Sequence, residues 1–321
     1  MKSRALSLIT LQTLLWFCVF RALAYGQQNV MSDAKDLRLS MSRLQQQARD
    51  GDLNSQYLLG RSYMTGLGVS QDYEEAAKWY RKSAAQGFPS GEFALGYLYE
   101  QGKGVARDYR QAALYYTVAA KQGHATAKNN LGSLYEHGQG VRKDLHQAAY
   151  WYREGANQGD VTAQCNLASL YFRGRGVARD YSQAAVWFRA AAERGYAPAR
   201  ENLAWMYYTG RGVPLDYSEA AKWVRGAAED GYARAQIDLG YLYEQGKGVP
   251  LDYVTAYMWY KAALDRGEQR ARARLNSLSV LLTKEQISTA AARAANLPGP
   301  RSTLDNALQP EVIGSPLIGP R

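Results

Sequence analysis

Residues 195–230 read GYAPARENLAWMYYTGRGVPLDYSEAAKWVRGAAED, and variants of the same 36-residue phrase stand on either side of them. Its opening glycine recurs at Gly51, Gly87, Gly123, Gly159, Gly195, Gly231 and Gly267, with no insertion or deletion between copies. A constant period means one supersecondary unit copied in tandem, each copy burying its apolar face only by stacking on its neighbours.

Within each copy the spacing is helical. Eight residues after the glycine stands a leucine (Leu59, Leu95, Leu131, Leu167, Leu203, Leu239, Leu275), four earlier a small residue, and four later, in six copies, a tyrosine from Tyr63 to Tyr243. Spacings of four and four put all three on one face of a first helix. The phrase Gly-x-Gly-Val follows, as at Gly66 to Val69, and glycine suits the left-handed backbone of a helix terminus. Three residues on, Asp72, Asp108, Asp144, Asp180, Asp216 and Asp252 are placed to cap a second helix. Inside that helix Trp79, Tyr115, Trp151, Trp187, Trp223 and Trp259 recur and read as core.

The fold expected is therefore all-α, a solenoid of antiparallel helix hairpins with six full copies and a partial repeat at each end. Leu37, Met41, Leu44 and Ala48 supply the N-terminal capping helix of a segment spanning 25–47, and the solenoid runs over 48–296. After Gly267 the copy loses its tyrosine and loop and passes to Thr283-Lys-Glu-Gln286, a capping box opening a last helix to about Ala295. From 297 to 321, Pro and Gly without periodicity read as a disordered tail.

The first 24 residues differ from the rest. Lys2 and Arg4 precede an apolar run from Ala5 to Phe20, followed by Ala22-Leu23-Ala24, the pattern of a secretory signal peptide cleaved after Ala24. The alternative is an uncleaved membrane anchor, but the strongly apolar part is short and Arg21 follows it. The expected product is exported, periplasmic or secreted. Cleavage would remove Cys18 and leave Cys165 alone, so no intrachain disulfide is expected, and would lower the net charge from +10 to about +7.

The phrases Leu-Gly-x-x-Tyr, Gly-x-Gly-Val, Asp-Tyr-x-x-Ala-Ala-x-Trp-Tyr and Ala-Ala-x-x-Gly closely resemble the Sel-one-like repeat, a relative of the tetratricopeptide repeat. The resemblance covers roughly residues 48–296. It implies a right-handed superhelix of helix pairs whose first helices line a concave, protein-binding surface. It also implies a setting, since bacterial relatives are often exported and serve envelope assembly, cell-wall regulation, polysaccharide export or host contact. Some relatives carry paired cysteines in each repeat, which this chain lacks.

Catalytic signatures are missing. His124, His137 and His146 fall in or beside loops without metal-ligand spacing, and no cofactor or metal is expected. Gly102-Lys-Gly-Val is a repeated turn rather than a phosphate loop, and the periodic aspartates are caps rather than a carboxylate pair, so a cell-wall hydrolase is disfavoured.

Function is sought instead where the copies differ. On the first helix, positions turned away from the leucine stripe carry Asn130, Asn166, Asn202 and Asp238, a ladder suited to hydrogen-bonding an extended peptide or, alternatively, to bridging adjacent helices. Trp205 stands outside the tryptophan register, at the position of Tyr97 and Tyr241, either as an exposed hot spot or packed on the next helix. Lys128, Arg200 and Arg234 lie nearby, to meet acidic groups or solvent. Lys103, Arg107, Arg142, Lys143, Arg175, Arg179, Arg211 and Lys247 all fall between the helices, where stacking would align them as a basic ridge. The expected partner is a protein or peptide segment. An anionic polysaccharide or membrane headgroup is the alternative suggested by the ridge, and nucleic acid is disfavoured by export.

Overall fold

The computed structural model describes residues 41–298; the predicted signal peptide, most of the segment before the repeats and all but the first two residues of the predicted tail lie outside them. Among the described residues every regular element is a helix. A helical stretch at residues 41–49, α1, is followed by six hairpins. They are α2 (Leu53–Thr65) with α3 (Tyr73–Ala85), α4 (Pro89–Gln101) with α5 (Tyr109–Lys121), and α6 (Ala125–His137) with α7 (Leu145–Asn157). The last three are α8 (Val161–Arg173) with α9 (Tyr181–Glu193), α10 (Ala197–Thr209) with α11 (Tyr217–Glu229), and α12 (Ala233–Gln245) with α13 (Tyr253–Asp265). Two shorter helices close the chain, α14 (Ala271–Ser279) and α15 (Lys284–Ala295). The fold is an all-α solenoid of 36-residue units.

The chain forms two compact units, one up to Tyr115 and one from Tyr116. In the first, α3 packs on α2 and α4, and Tyr80, Leu95 and Leu98 are fully buried. In the second, each helix from α6 to α13 packs on its chain neighbours, and α13 also carries α14 and α15. Short loops make such neighbours antiparallel. The closing helix buries Ala290 and Ala294 on the core that includes Trp259 and Ala262. Its first turn is the capping box read from Thr283 and Gln286.

The punctuation behaves as the residue types require. Gly66, Gly102, Gly138, Gly174, Gly210 and Gly246 end the first helices at φ between 61° and 76°. Asp144 accepts from the amides of His146 and Gln147 at 2.9 and 3.0 Å, and the same geometry recurs at Asp72, Asp216 and Asp252. The tyrosines of the first helix tie the loops together: the Asp144 amide donates to the Tyr135 carbonyl at 3.0 Å, and the equivalent bond closes every other copy.

One core assignment needs correction. Trp79, Tyr115, Trp151, Trp187 and Trp223 are only half-buried, and of the six expected there Trp259 alone is buried. The core ring stands one residue later, at Tyr80, Tyr116, Tyr152, Phe188, Val224 and Tyr260, each at most 1% exposed. Helical geometry explains this: in α11 the buried stripe is Ala220, Ala221, Val224, Ala227 and Ala228, and Trp223 falls on its flank.

This ring co-varies with its surroundings. A Cβ on Gly132 or Gly240 would lie 2.7 or 2.9 Å from the ring of Tyr152 or Tyr260, whereas Ala168 and Ala204 accompany Phe188 and the smaller Val224. The hydroxyls are matched too. Tyr152 donates to Glu136 at 2.9 Å and Tyr260 to Glu244 at 2.6 Å, and where the hydroxyl is missing Phe172 and Tyr208 replace the glutamate. Gly240→Ala is expected to cost about 1–3 kcal/mol by overpacking. Combined with Tyr260→Val it should cost less than the two losses added, by about 1 kcal/mol or more. Urea unfolding of the four proteins checks this; strict additivity would show that the pair does not share a packing constraint.

Candidate functional site

The asparagine ladder does not stand open. Asn130, Asn202 and Asp238 are at most 5% exposed and Asn166 is half-buried. Asn130 donates to the Tyr116 hydroxyl at 3.2 Å, and Asn166 donates to Asn129 Oδ1 at 2.9 Å, one repeat away. Asn202 lies in hydrogen-bond contact with Cys165, and Asp238 faces the charge of Arg270. Of the two readings, the bridge between adjacent helices is the one the geometry makes, because a buried amide must find partners inside the protein. The expectation of amides presented to a peptide is corrected for these positions.

The three nearby cations are likewise engaged within the solenoid. Lys128 is buried with its Nζ 3.6 Å from Glu154, and Arg200 donates to Asp230 at 2.6 Å and to the Ala192 carbonyl at 3.2 Å. Gln56, Gln164 and Gln236, at the repeat position of Arg200, bond the carbonyls of Ala48, Ala156 and Ala228 in the same way. In these four copies that position brackets the first helix to the helix before it, so it belongs to stacking. Arg234 pairs with Glu201 at 3.4 Å, and burial pushes the Glu201 carboxyl up to about 7, against the lowering influence of Arg234 and Arg270.

The predicted basic ridge is not continuous. Arg107, Arg142, Lys143, Arg179 and Arg211 are exposed, whereas Lys103, Arg175 and Lys247 are half-covered. Arg175 pairs with Glu136 at 3.1 Å. Arg142 and Lys143 line an open cleft with Tyr135, Asp144 and His146. The cations at the centre of the Gly-x-Gly turns fold onto aromatic rings. Lys103 Nζ lies 5.4 Å from the Tyr73 ring and 5.7 Å from that of Tyr97. Arg211 lies 4.9 Å from Trp205 and 5.9 Å from Tyr181, and Lys247 lies 4.7 Å from Tyr208 and 5.1 Å from Tyr217. A ring quadrupole attracts such cations, so these three are drawn onto neighbouring rings.

Trp205 is half-buried, packs edge-on against Phe172 at 5.5 Å and carries the Arg211 guanidinium over its ring. Phe172 also meets Tyr181, at 4.9 Å, and Tyr208 meets Tyr217, at 5.1 Å. Tyr208 accepts from Lys247 Nζ at 2.6 Å, and this bond raises the lysine's pKa. Tyr241 bonds the same Tyr208, lies below the Arg274 guanidinium at 5.7 Å, and has its phenol pushed up chiefly by burial. The ends of α8, α10 and α12 thus carry one aromatic and cationic patch. Its members Phe172, Tyr181, Tyr208 and Tyr217 were not singled out from the sequence. The signal for two of them was available: Phe172 and Tyr208 replace the Glu or Met of other copies, Tyr208 in the unit that holds Trp205 and Phe172 in the unit before it.

For catalysis there is little material. Among the described residues no three His, Cys, Asp or Glu side chains gather as a metal-binding group, and no helix is long and apolar enough to cross a membrane. His124 caps α6 by accepting from the Ala127 amide at 3.2 Å, and burial lowers its pKa. Burial raises the Cys165 thiol far above the ordinary range, which keeps it protonated and unreactive.

The patch rests on a repeat that known proteins share. No curated protein matches the chain. The model of the Sel1 repeat matches six consecutive stretches, 53–88, 89–124, 125–160, 161–196, 197–232 and 233–268. Among solved structures, one similar to this chain is a protective antigen present in uropathogenic Escherichia coli strains displaying an SLR fold. It has 34% identity and a TM-score of 0.71 over 81% of this chain, which spans only 57% of that protein. A Sel1 repeat protein from Oxalobacter formigenes is 35% identical with a TM-score of 0.67, over 73% of this chain and 68% of the other. The matched stretches begin at the first helix of each hairpin and end at the turn before the next, which is the unit that the glycines, leucines and capping aspartates define. With six such units end to end, the chain belongs to the Sel1 repeat family.

Proposed function

We propose that this protein is an exported, non-enzymatic scaffold that binds a partner protein through the face formed by the C-terminal ends of α8, α10 and α12. Sel1 repeat proteins generally mediate protein–protein interaction, and their fold is typically non-catalytic. The observation that carries the reading is the patch around Trp205, where several aromatic residues and two turn cations gather across neighbouring units. Aromatic residues and Arg are the types enriched at interface hot spots. Export rests on the residues up to Ala24, and an envelope or host-contact role fits both export and the antigen among the similar structures. Binding of a polyanion along the loops draws less support, since the cations at the turn centres are drawn onto rings or paired with Glu136 rather than lined up.

The test uses Trp205→Ser, because Ser133 and Ser169 occupy the same position in folded copies. Partners are crosslinked from the extracytoplasmic fraction of the native host and identified by mass spectrometry. A discrete partner set should fall at least tenfold with the variant. The same set captured in full by Trp205→Ser and by Tyr241→Ser would assign binding to another surface.

A further inference from the structure

Arg211 and Lys247 occupy equivalent turns one repeat apart, and neither has a carboxylate within ion-pair distance among the described residues. Their neighbours behave otherwise. Arg175, at the same turn position, is neutralised by Glu136 at 3.1 Å, and the residue opening the preceding second helix there is Leu145 rather than a tyrosine. Where that residue is an aromatic, Tyr181 or Tyr217, the cation lies across it and keeps its charge uncompensated. Arg274 is neutralised by Glu244 at 3.1 Å and so adds little net charge to the patch.

We propose that Arg211 and Lys247, held over the aromatic floor of Trp205, Tyr181, Tyr208 and Tyr217, recognise carboxylates of an acidic peptide segment whose apolar side chains lie on those rings. This rests on the protein-binding reading of the same face and names the chemistry of the partner. Three observations support it. First, no carboxylate among the described residues pairs with these charges, so an incoming carboxylate gains a partner without displacing one of them. Second, the rings hold the cations in place, so less side-chain entropy is lost on binding than for a free surface Lys or Arg. Third, the charges are separate points one repeat apart beside half-buried rings. A dense polyanion is bound best by a dense cationic stripe, and here the stripe is interrupted at Arg175. Isolated carboxylates among apolar residues suit separate cations beside aromatic surface.

The probe is a phage-displayed library of random dodecapeptides, selected in parallel on the full chain and on the Arg211→Gln/Lys247→Gln double variant. Both positions lie at turn centres, and the double variant's melting curve is compared with that of the parent. Selection on the parent should return peptides enriched in Asp and Glu together with Leu, Phe or Tyr. Synthetic versions should bind at least tenfold more tightly to the parent than to the variant, lose affinity as salt is raised, and lose at least tenfold when their acids become amides. Enrichment without acidic residues, or acidic peptides that bind the double variant equally well, would overturn the proposal. So would binding of oligogalacturonate that exceeds every selected peptide, which would assign the patch to polysaccharide. Neutral peptides whose binding disappears in Trp205→Ser would sink the carboxylate proposal while leaving the protein-binding reading intact.

Discussion

Gly248→Ala is expected to destabilise the protein by roughly 4 kcal/mol, more than any single surface change. The second glycine of each Gly-x-Gly turn has φ near 70°, where an L side chain meets about 1–2 kcal/mol of strain. Strain is the smaller part. A Cβ at Gly248 would lie 1.9 Å from the Tyr217 carbonyl oxygen and 2.2 Å from its carbon, which are backbone atoms at the start of α11. The turn of one unit sits directly on the first residue of the second helix before it, so relief requires the two repeats to separate. A Cβ at Gly104, Gly176 or Gly212 would likewise fall 2.0, 2.1 or 2.2 Å from the carbonyl oxygen of Tyr73, Leu145 or Tyr181. Overpacking against an immovable neighbour adds up to about 3 kcal/mol. The control is Gly87→Ala, with φ of 75° and nothing within 4 Å of the new Cβ, which should lose only the conformational part. Urea unfolding followed by circular dichroism measures both; equal losses would show that the close approach carries no cost.

Acidification from pH 8 to pH 5 is expected to stabilise the parent relative to Glu201→Gln by about 2.5 kcal/mol. Glu201 lies on α10, 7% exposed, with Arg234 Nε 3.4 Å away as its ion-pair partner. Burial is the largest influence and outweighs the attraction of Arg234 and Arg270, so the folded carboxyl titrates at about 7 against an ordinary 4.5. Between those values the folded state holds the proton that the unfolded chain has released. Stability contributed at this site is therefore full below about pH 4.5, falls as the pH rises through 7, and is flat above it. Glutamine cannot titrate, and its difference from the parent should trace this window. Parallel pH dependences for the two proteins would mean that Glu201 is ionised at its ordinary value. The effect is large because a buried ion pair recovers only part of the solvation its charges lose.

Much of this architecture was readable before any coordinates. The period, the helix limits, the leucine stripe, the terminating glycines, the aspartate caps and the capping box at Thr283 each follow from local chemistry within about one helical turn. The site was readable only in part. Trp205 and Tyr241 were picked out at a position that varies between copies, Arg211 and Lys247 as members of a basic loop ridge, and all four lie in the patch, but Asn130, Asn202 and Asp238 lie inside the stacking interface. A helical wheel built on the leucine stripe treats its opposite side as surface, and in a solenoid that side meets the next first helix. Asn166, reaching Asn129 one repeat away, shows the contact that the wheel omits.

The sequence by itself determined which residues are equivalent and where each helix starts and stops, because capping, turn conformation and periodicity act over a few bonds. It also determined that function must be sought in the differences between copies. Only the tertiary structure decided which of two adjacent aromatics is the core, Tyr80 or Trp79, and which cations stay uncompensated. Those outcomes depend on how one repeat lies against the next: the second glycine touches the preceding helix, the turn cation reaches that helix's first tyrosine, and Glu136 claims Arg175 but leaves Arg211 its charge. Such contacts join residues some 30 positions apart, and periodicity shows that they recur without showing what they touch.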